Sequence, residues 1–186
     1  IPAAANQWSI STPTETVSGL NHLEGMEVTI LADGSVINNQ IVTDGAITLP
    51  LPASSITVGL PYTCQLQTLY LDPPNTQSTV QGKRKNIQAV TVRMEASRGM
   101  SVGTNQKDQS TQPNNATVPW VNMKPFKERT ALIYAGSAIP LFTGDERILV
   151  PGDWKKPGQV AIQQTYPLPA NIIACVPEWT IGDSNG

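Results

Sequence analysis

Histidine is nearly missing from this chain, with His22 the single one in 186 residues. That excludes every metal site built on paired imidazoles. One imidazole is left for a catalytic triad, but no Gly-x-Ser-x-Gly elbow accompanies it and neither cysteine sits in a nucleophile setting. His22 is therefore read as a brace of its own turn. Cysteine is scarce as well: Cys64 and Cys175 lie far apart among strand-forming neighbours. They read as two free, buried thiols rather than a disulfide, because a buried Cys behaves as a small hydrophobe and a sequence by itself does not show that two Cys meet. Charged residues make up 14% of the chain and the net charge is −2, against about 25% charged in an average soluble domain. No basic field is present to hold nucleic acid through counterion release, which argues against sequence-specific binding. No apolar run approaches the roughly 20 residues of a membrane-crossing helix. Neither an internal repeat nor a sustained 3.6-residue apolar stripe occurs, so stable helices are not expected.

The chain is rich in turn-formers, with 16 Pro and 14 Gly, and in Thr, Gln, Asn and Ser. Such a composition favours many short strands joined by tight turns. Low charge also suits β-proteins that assemble with neighbours, since contact surfaces avoid stranded ions. The expected fold is all-β, an antiparallel β-sandwich or barrel-like domain with long loops and little helix. The length allows one domain or two small ones. Residues 1–18 read as an extended lead-in segment and 19–186 as the β-domain, with a long loop at 104–128. Ile1-Pro2-Ala3-Ala4-Ala5 reads as the edge of a fragment, so the chain is expected to be the C-terminal part of a longer protein.

Alternation marks the strands. Met26, Val28 and Ile30 alternate with Glu27 and Thr29 before Asp33-Gly34 supplies a turn and Val36 resumes the pattern, which predicts a hairpin. Thr43-Asp44-Gly45 predicts another turn, followed by Ile47, Leu49 and Leu51 on one face. Ile56, Val58 and Leu60 begin a further alternation, and 62–71 reads as a long strand. Val90, Val92 and Met94 alternate against Thr91, Arg93 and Glu95 until Ser97-Arg98-Gly99. The stretch 104–118 has almost no apolar residue and is expected to be an exposed, mobile loop. Beyond it, 148–150, 159–166 and 170–181 read as strands, with a turn at Gly144-Asp145.

Candidate chemistry is thin. Asp145, Glu146 and Asp153 are imaginable as carboxylates for sugar hydrolysis, but acids after Gly144 and Gly152 are more often turn-formers. Gly82-Lys83-Arg84-Lys85 is a compact basic cluster able to touch phosphate, and its plainer reading is a solvated strand entrance; Trp154-Lys155-Lys156 is similar. Trp120 and Phe126 are the candidate contacts for a partner or a glycan, although loop aromatics more commonly anchor the loop to its own domain. No catalytic, cofactor-binding or metal-ligating residue is assigned.

Several segments, in order, resemble the tail nozzle (tail hub, tail tubular) proteins of short-tailed bacteriophages. Gly19-Leu20-Asn21-His22-Leu23-Glu24-Gly25 through Leu31-Ala32-Asp33-Gly34-Ser35-Val36 is similar to that family's opening hairpin. Val58-Gly59-Leu60-Pro61-Tyr62, Gly82-Lys83-Arg84-Lys85-Asn86-Ile87 and Ser97-Arg98-Gly99 through Val102-Gly103 resemble its following strands. Thr143-Gly144-Asp145 and Pro167-Leu168-Pro169 through Pro177-Glu178 resemble its C-terminal pattern. The resemblance implies a non-enzymatic virion component without cofactor, assembled in the host bacterial cytoplasm. It further implies a homo-oligomeric ring, a hexamer, in contact with other tail proteins, through whose channel DNA passes non-specifically. The alternative from the residues alone is a carbohydrate-binding, adhesin-like β-sandwich using Trp120 and Phe126.

Overall fold

The computed structural model describes residues 12–72, 83–104, 120, 122–127, 140–151, 154 and 158–182. Among these, twelve strands occur and the only helical element is a 3-10 turn at Asn21–Leu23. Every strand pairing is antiparallel. The expected all-β, antiparallel, sandwich-like class is what the chain adopts. The chain folds as two compact units, with the division in the described residues falling between Pro61 and Tyr62. The lead-in expected over 1–18 contributes a strand to the first unit in its described part. The stretch 105–119, which holds most of the loop expected at 104–118, lies outside the described residues.

The first unit contains β1 (Thr14–Ser18), β2 (Glu27–Ala32), β3 (Ser35–Ile41), β4 (Ala46–Ala53) and β5 (Ile56–Gly59). They form a two-stranded sheet, β1-β4, and a three-stranded sheet, β3-β2-β5. Val28, Ile30 and Ala32 of β2 share one buried cluster with Ile47, Leu49 and Ala53 of β4, so the two sheets enclose a common core. Both predicted turns form. Asp33 and Gly34 have positive φ, as do Asp44 and Gly45, and each pair makes the two-residue turn whose twist matches antiparallel strands. Between Val28 and Ile30 the register with β3 shifts, where Asn39 adopts a left-handed φ of 60° that asparagine tolerates better than most residues. The β1-β4 register breaks between Thr14 and Thr16, opposite the stretch with Pro50 and Pro52, which have no N–H to give a ladder. Leu51 and Met26, expected on the inner face, are exposed instead.

The second unit contains β6 (Cys64–Gln67), β7 (Lys85–Ser97), β8 (Ser101–Gly103), β9 (Met123–Pro125), β10 (Phe142–Leu149), β11 (Ala161–Gln164) and β12 (Asn171–Ile181). Its sheets run β10-β7-β12 and β6-β11-β8-β9. Val90, Val92 and Met94 of β7 meet Val102 of β8 and Ile162 of β11 in one buried cluster, completed by Phe126, Ile148 and Val160. Three sequence expectations change here. The long strand over 62–71 shortens to Cys64–Gln67, although Thr68 and Leu71 still donate their N–H groups to Val160 and Gly158. Gly144-Asp145 is no turn: both residues lie within β10. And β7 begins earlier than Val90, with Lys85 and Ile87 already facing inward, Lys85 only 2% exposed.

Candidate functional site

The motif segments meet in pairs, and their polar side chains act on backbone. Glu24, at the end of the 3-10 turn, accepts N–H groups from Asp44 and Gly45 at 3.0 and 2.7 Å. Around that clamp, Gly25 donates to the Val42 carbonyl and Leu20 to the Gly45 carbonyl. A Cβ on Gly45 would overlap Asn21 Oδ1, so this approach needs glycine at that position. Asp33 does the same for the next loop, accepting from Ser54 at 2.9 Å and Ser55 at 2.7 Å. Those two amides hold its carboxyl below the usual carboxylate range. His22 is exposed on its turn.

In the second unit Ser97-Arg98-Gly99 meets the Pro167-Leu168-Pro169 segment. Arg98 donates its N–H to the Pro169 carbonyl at 3.0 Å, and Asn171 donates its N–H to Ser97 Oγ at 2.7 Å. Buried Gln164 sits between, its Nε2 donating to the Arg98 and Leu168 carbonyls. Gly99 has φ of 79°, and a Cβ there would lie 2.8 Å from Leu168 Cδ1.

Of the imagined carboxylates, Asp145 is already engaged. Asp145 lies opposite Arg93 in the β10-β7 register and takes a two-pronged bond from its guanidinium at 2.7 and 2.8 Å. That bond holds the Asp145 carboxyl low, which suits neither a proton donor at neutral pH nor an open base. Asp153 lies outside the described residues. Among the described residues no group of three or more His, Cys, Asp or Glu side chains is arranged to hold a metal ion. A second guanidinium, Arg147 on β10, reaches across the central strand to Glu178 on β12 with two bonds of 2.6 Å.

The two candidate contact aromatics separate. Phe126 is buried in the second core at 6% exposure, its ring centroid 5.2 Å from that of Phe142 with the planes tilted by 53°. It is an anchor rather than a platform. Trp120 is half-buried. Both cysteines are free, as expected, but Cys64 is exposed and Cys175 half-buried, because Cys64 sits on β6, where all four residues face solvent. The basic cluster also divides: Lys85 turns inward against Gly158, where a Cβ would meet Lys85 Cδ at 2.9 Å, while Arg84 stays exposed. Gly82, Lys155 and Lys156 lie outside the described residues.

Composition gave no hint of the remaining feature, a set of large apolar side chains left in solvent. Tyr62, Leu66, Leu69 and Tyr70 stand out around β6, and Leu149, Ile173 and Val176 on the β10-β7-β12 sheet. Single exposed hydrophobes are ordinary; here several fall around one strand and on one sheet. No family model matches the chain, and no curated protein does.

Proposed function

We propose that this chain is a structural module of a phage tail nozzle, acting through geometry and contact with neighbouring subunits rather than through catalysis. The carrying observation is the exposed apolar surface on a chain with only 14% charged residues. Such a surface is stabilised by being covered, and low charge makes complementary faces easier to build without stranded ions. The ordered motif resemblance supplies the kind of assembly: a homo-oligomeric ring, a hexamer, through which DNA passes without sequence-specific contact. A net charge of −2 suits such a passage, because weak or repulsive contact with phosphates lets DNA slide. The motif residues support the reading in a further way, since Glu24, Asp33 and Ser97 tie loops together through backbone amides. Burial of Phe126 takes away half of the platform on which a glycan-binding reading relied.

Electron microscopy of the full-length assembly tests this directly. A ring of identical subunits, found at the distal tail of virions, is the expected result. A monomer that binds a glycan tightly or hydrolyses one overturns the proposal.

A further inference from the structure

Arg84 and Trp154, far apart in sequence, come together at Gly182 in the second unit. Gly182 follows directly on β12 and donates its N–H to the Arg84 carbonyl at 2.8 Å. The indole of Trp154 lies against the same glycine. A Cβ built on Gly182 would stand 3.0 and 3.1 Å from two atoms of the Trp154 ring and 3.6 Å from Arg84 Cβ. Any side chain at 182 would press on the ring. The indole is thus seated on backbone beside Arg84, yet 47% of the tryptophan remains exposed. Arg84 is exposed and Lys83 half-buried. Among the described residues neither cation is in an ion pair, whereas Arg93 and Arg147 are both engaged by carboxylates.

We infer that Trp154, Arg84 and Lys83 form a contact site for an unpaired stretch of nucleic acid, the indole stacking on a base while the two cations meet flanking phosphates. A half-exposed aromatic face beside one uncommitted cation, with a second cation next to that in sequence, is a combination that binds single strands without reading sequence. The chain's overall negative charge keeps the contact weak and confined to this spot. The inference is separate from the ring assembly, since one copy of the chain holds all three residues; loss of either reading leaves the other standing.

The experiment is fluorescence anisotropy of the full chain with a labelled oligothymidylate of about ten nucleotides, at two salt concentrations. Two phosphates neutralised on a single strand give a slope of about −1.4 in log affinity against log salt, so binding should weaken about sevenfold between 50 and 200 mM. Trp154→Ala should cost about fivefold or more. Arg84→Gln and Lys83→Gln should each flatten the salt slope by about 0.7. Lys124→Gln, exposed on β9, should change nothing, and circular dichroism of each variant checks that the strands persist. Absence of binding at 50 mM salt overturns the inference, as does equal affinity in the Trp154→Ala and Arg84→Gln variants. Binding of polygalacturonate in place of the oligonucleotide, abolished by the same variants, also overturns it and makes the patch a site for acidic polysaccharide.

Discussion

Ile30→Ala should selectively melt one of this protein's two units. The Ile30 side chain is fully buried in the first core, between Ile37 on β3 and Val58 on β5 in register. Truncation removes three carbon groups at about 0.8 kcal/mol each, or about 2.4 kcal/mol. The cavity left where the two sheets fail to close brings the loss toward about 4 kcal/mol. The described part of the first unit spans residues 12–61, and a unit of about 50 residues has roughly 2.5–7.5 kcal/mol in hand. The substitution therefore removes at least half of what holds that unit together. The second core shares none of its buried residues with the first. Hydrogen exchange read by mass spectrometry should show protection lost across β2, β3 and β4 while β7 and β12 keep theirs. Met94→Ala, at the centre of the second core, should give the reverse pattern with a loss of about 2–5 kcal/mol. If each variant strips protection from both units equally, the two cores are not energetically separate and the reasoning fails.

Other outcomes follow from single contacts. Gly103→Ala should destabilise the second unit by about 1–3 kcal/mol in denaturant titration, because the new Cβ would overlap the Asn122 carbonyl oxygen. A thiol reagent at pH 8 should modify Cys64 fast and Cys175 slowly, the latter's thiol being pushed up by burial; Cys64→Ser should abolish the fast phase. The carboxyls of Asp33, Asp145 and Glu178 are held low by their amide or guanidinium donors. Each thus contributes its full stability above the ordinary carboxylate pKa of about 4 and loses it as pH falls through the lower folded value. Thermal unfolding followed from pH 7 to 2 should hold steady with respect to these groups down to about pH 4 and fall below it. Asp33→Asn should weaken that acid dependence.

Alternation carried most of the fold because a period of two assigns faces without any tertiary knowledge: Val28 and Ile30 were legible as core, and so were Val90, Val92 and Met94. The turns were legible for a related reason, since Asp33-Gly34 and Asp44-Gly45 are pairs able to take positive φ at both positions. What misled was chemistry that alternation does not encode. Lys85 looked solvated because of its charge, but its methylene stem packs on Gly158. Gly144-Asp145 looked like a turn, but the aspartate occupies an exposed strand position facing Arg93 on the neighbouring strand. The clamps of Glu24 and Asp33 were hidden because their partners are backbone amides about twenty residues away. Nor did the sequence show that Arg84 and Trp154 would meet, which depends on β12 returning beside the start of β7.

The bond from Arg147 over the middle strand to Glu178 solves a problem of counting. Burial alone punishes a slip of one residue between neighbouring strands, because every inward side chain would turn outward. A slip of two residues escapes that penalty, since all faces are restored and the strand has moved only about 6.8 Å. The two-pronged pair does not survive such a shift, because its geometry tolerates no displacement of that size. Arg147–Glu178 ties the outer strands of the sheet to one another, while Arg93–Asp145 ties one of them to the centre. Between them they distinguish the true alignment from its nearest even-numbered impostors, so their contribution is to the accuracy of strand assembly even where solvent leaves them little weight in the stability of the finished sheet.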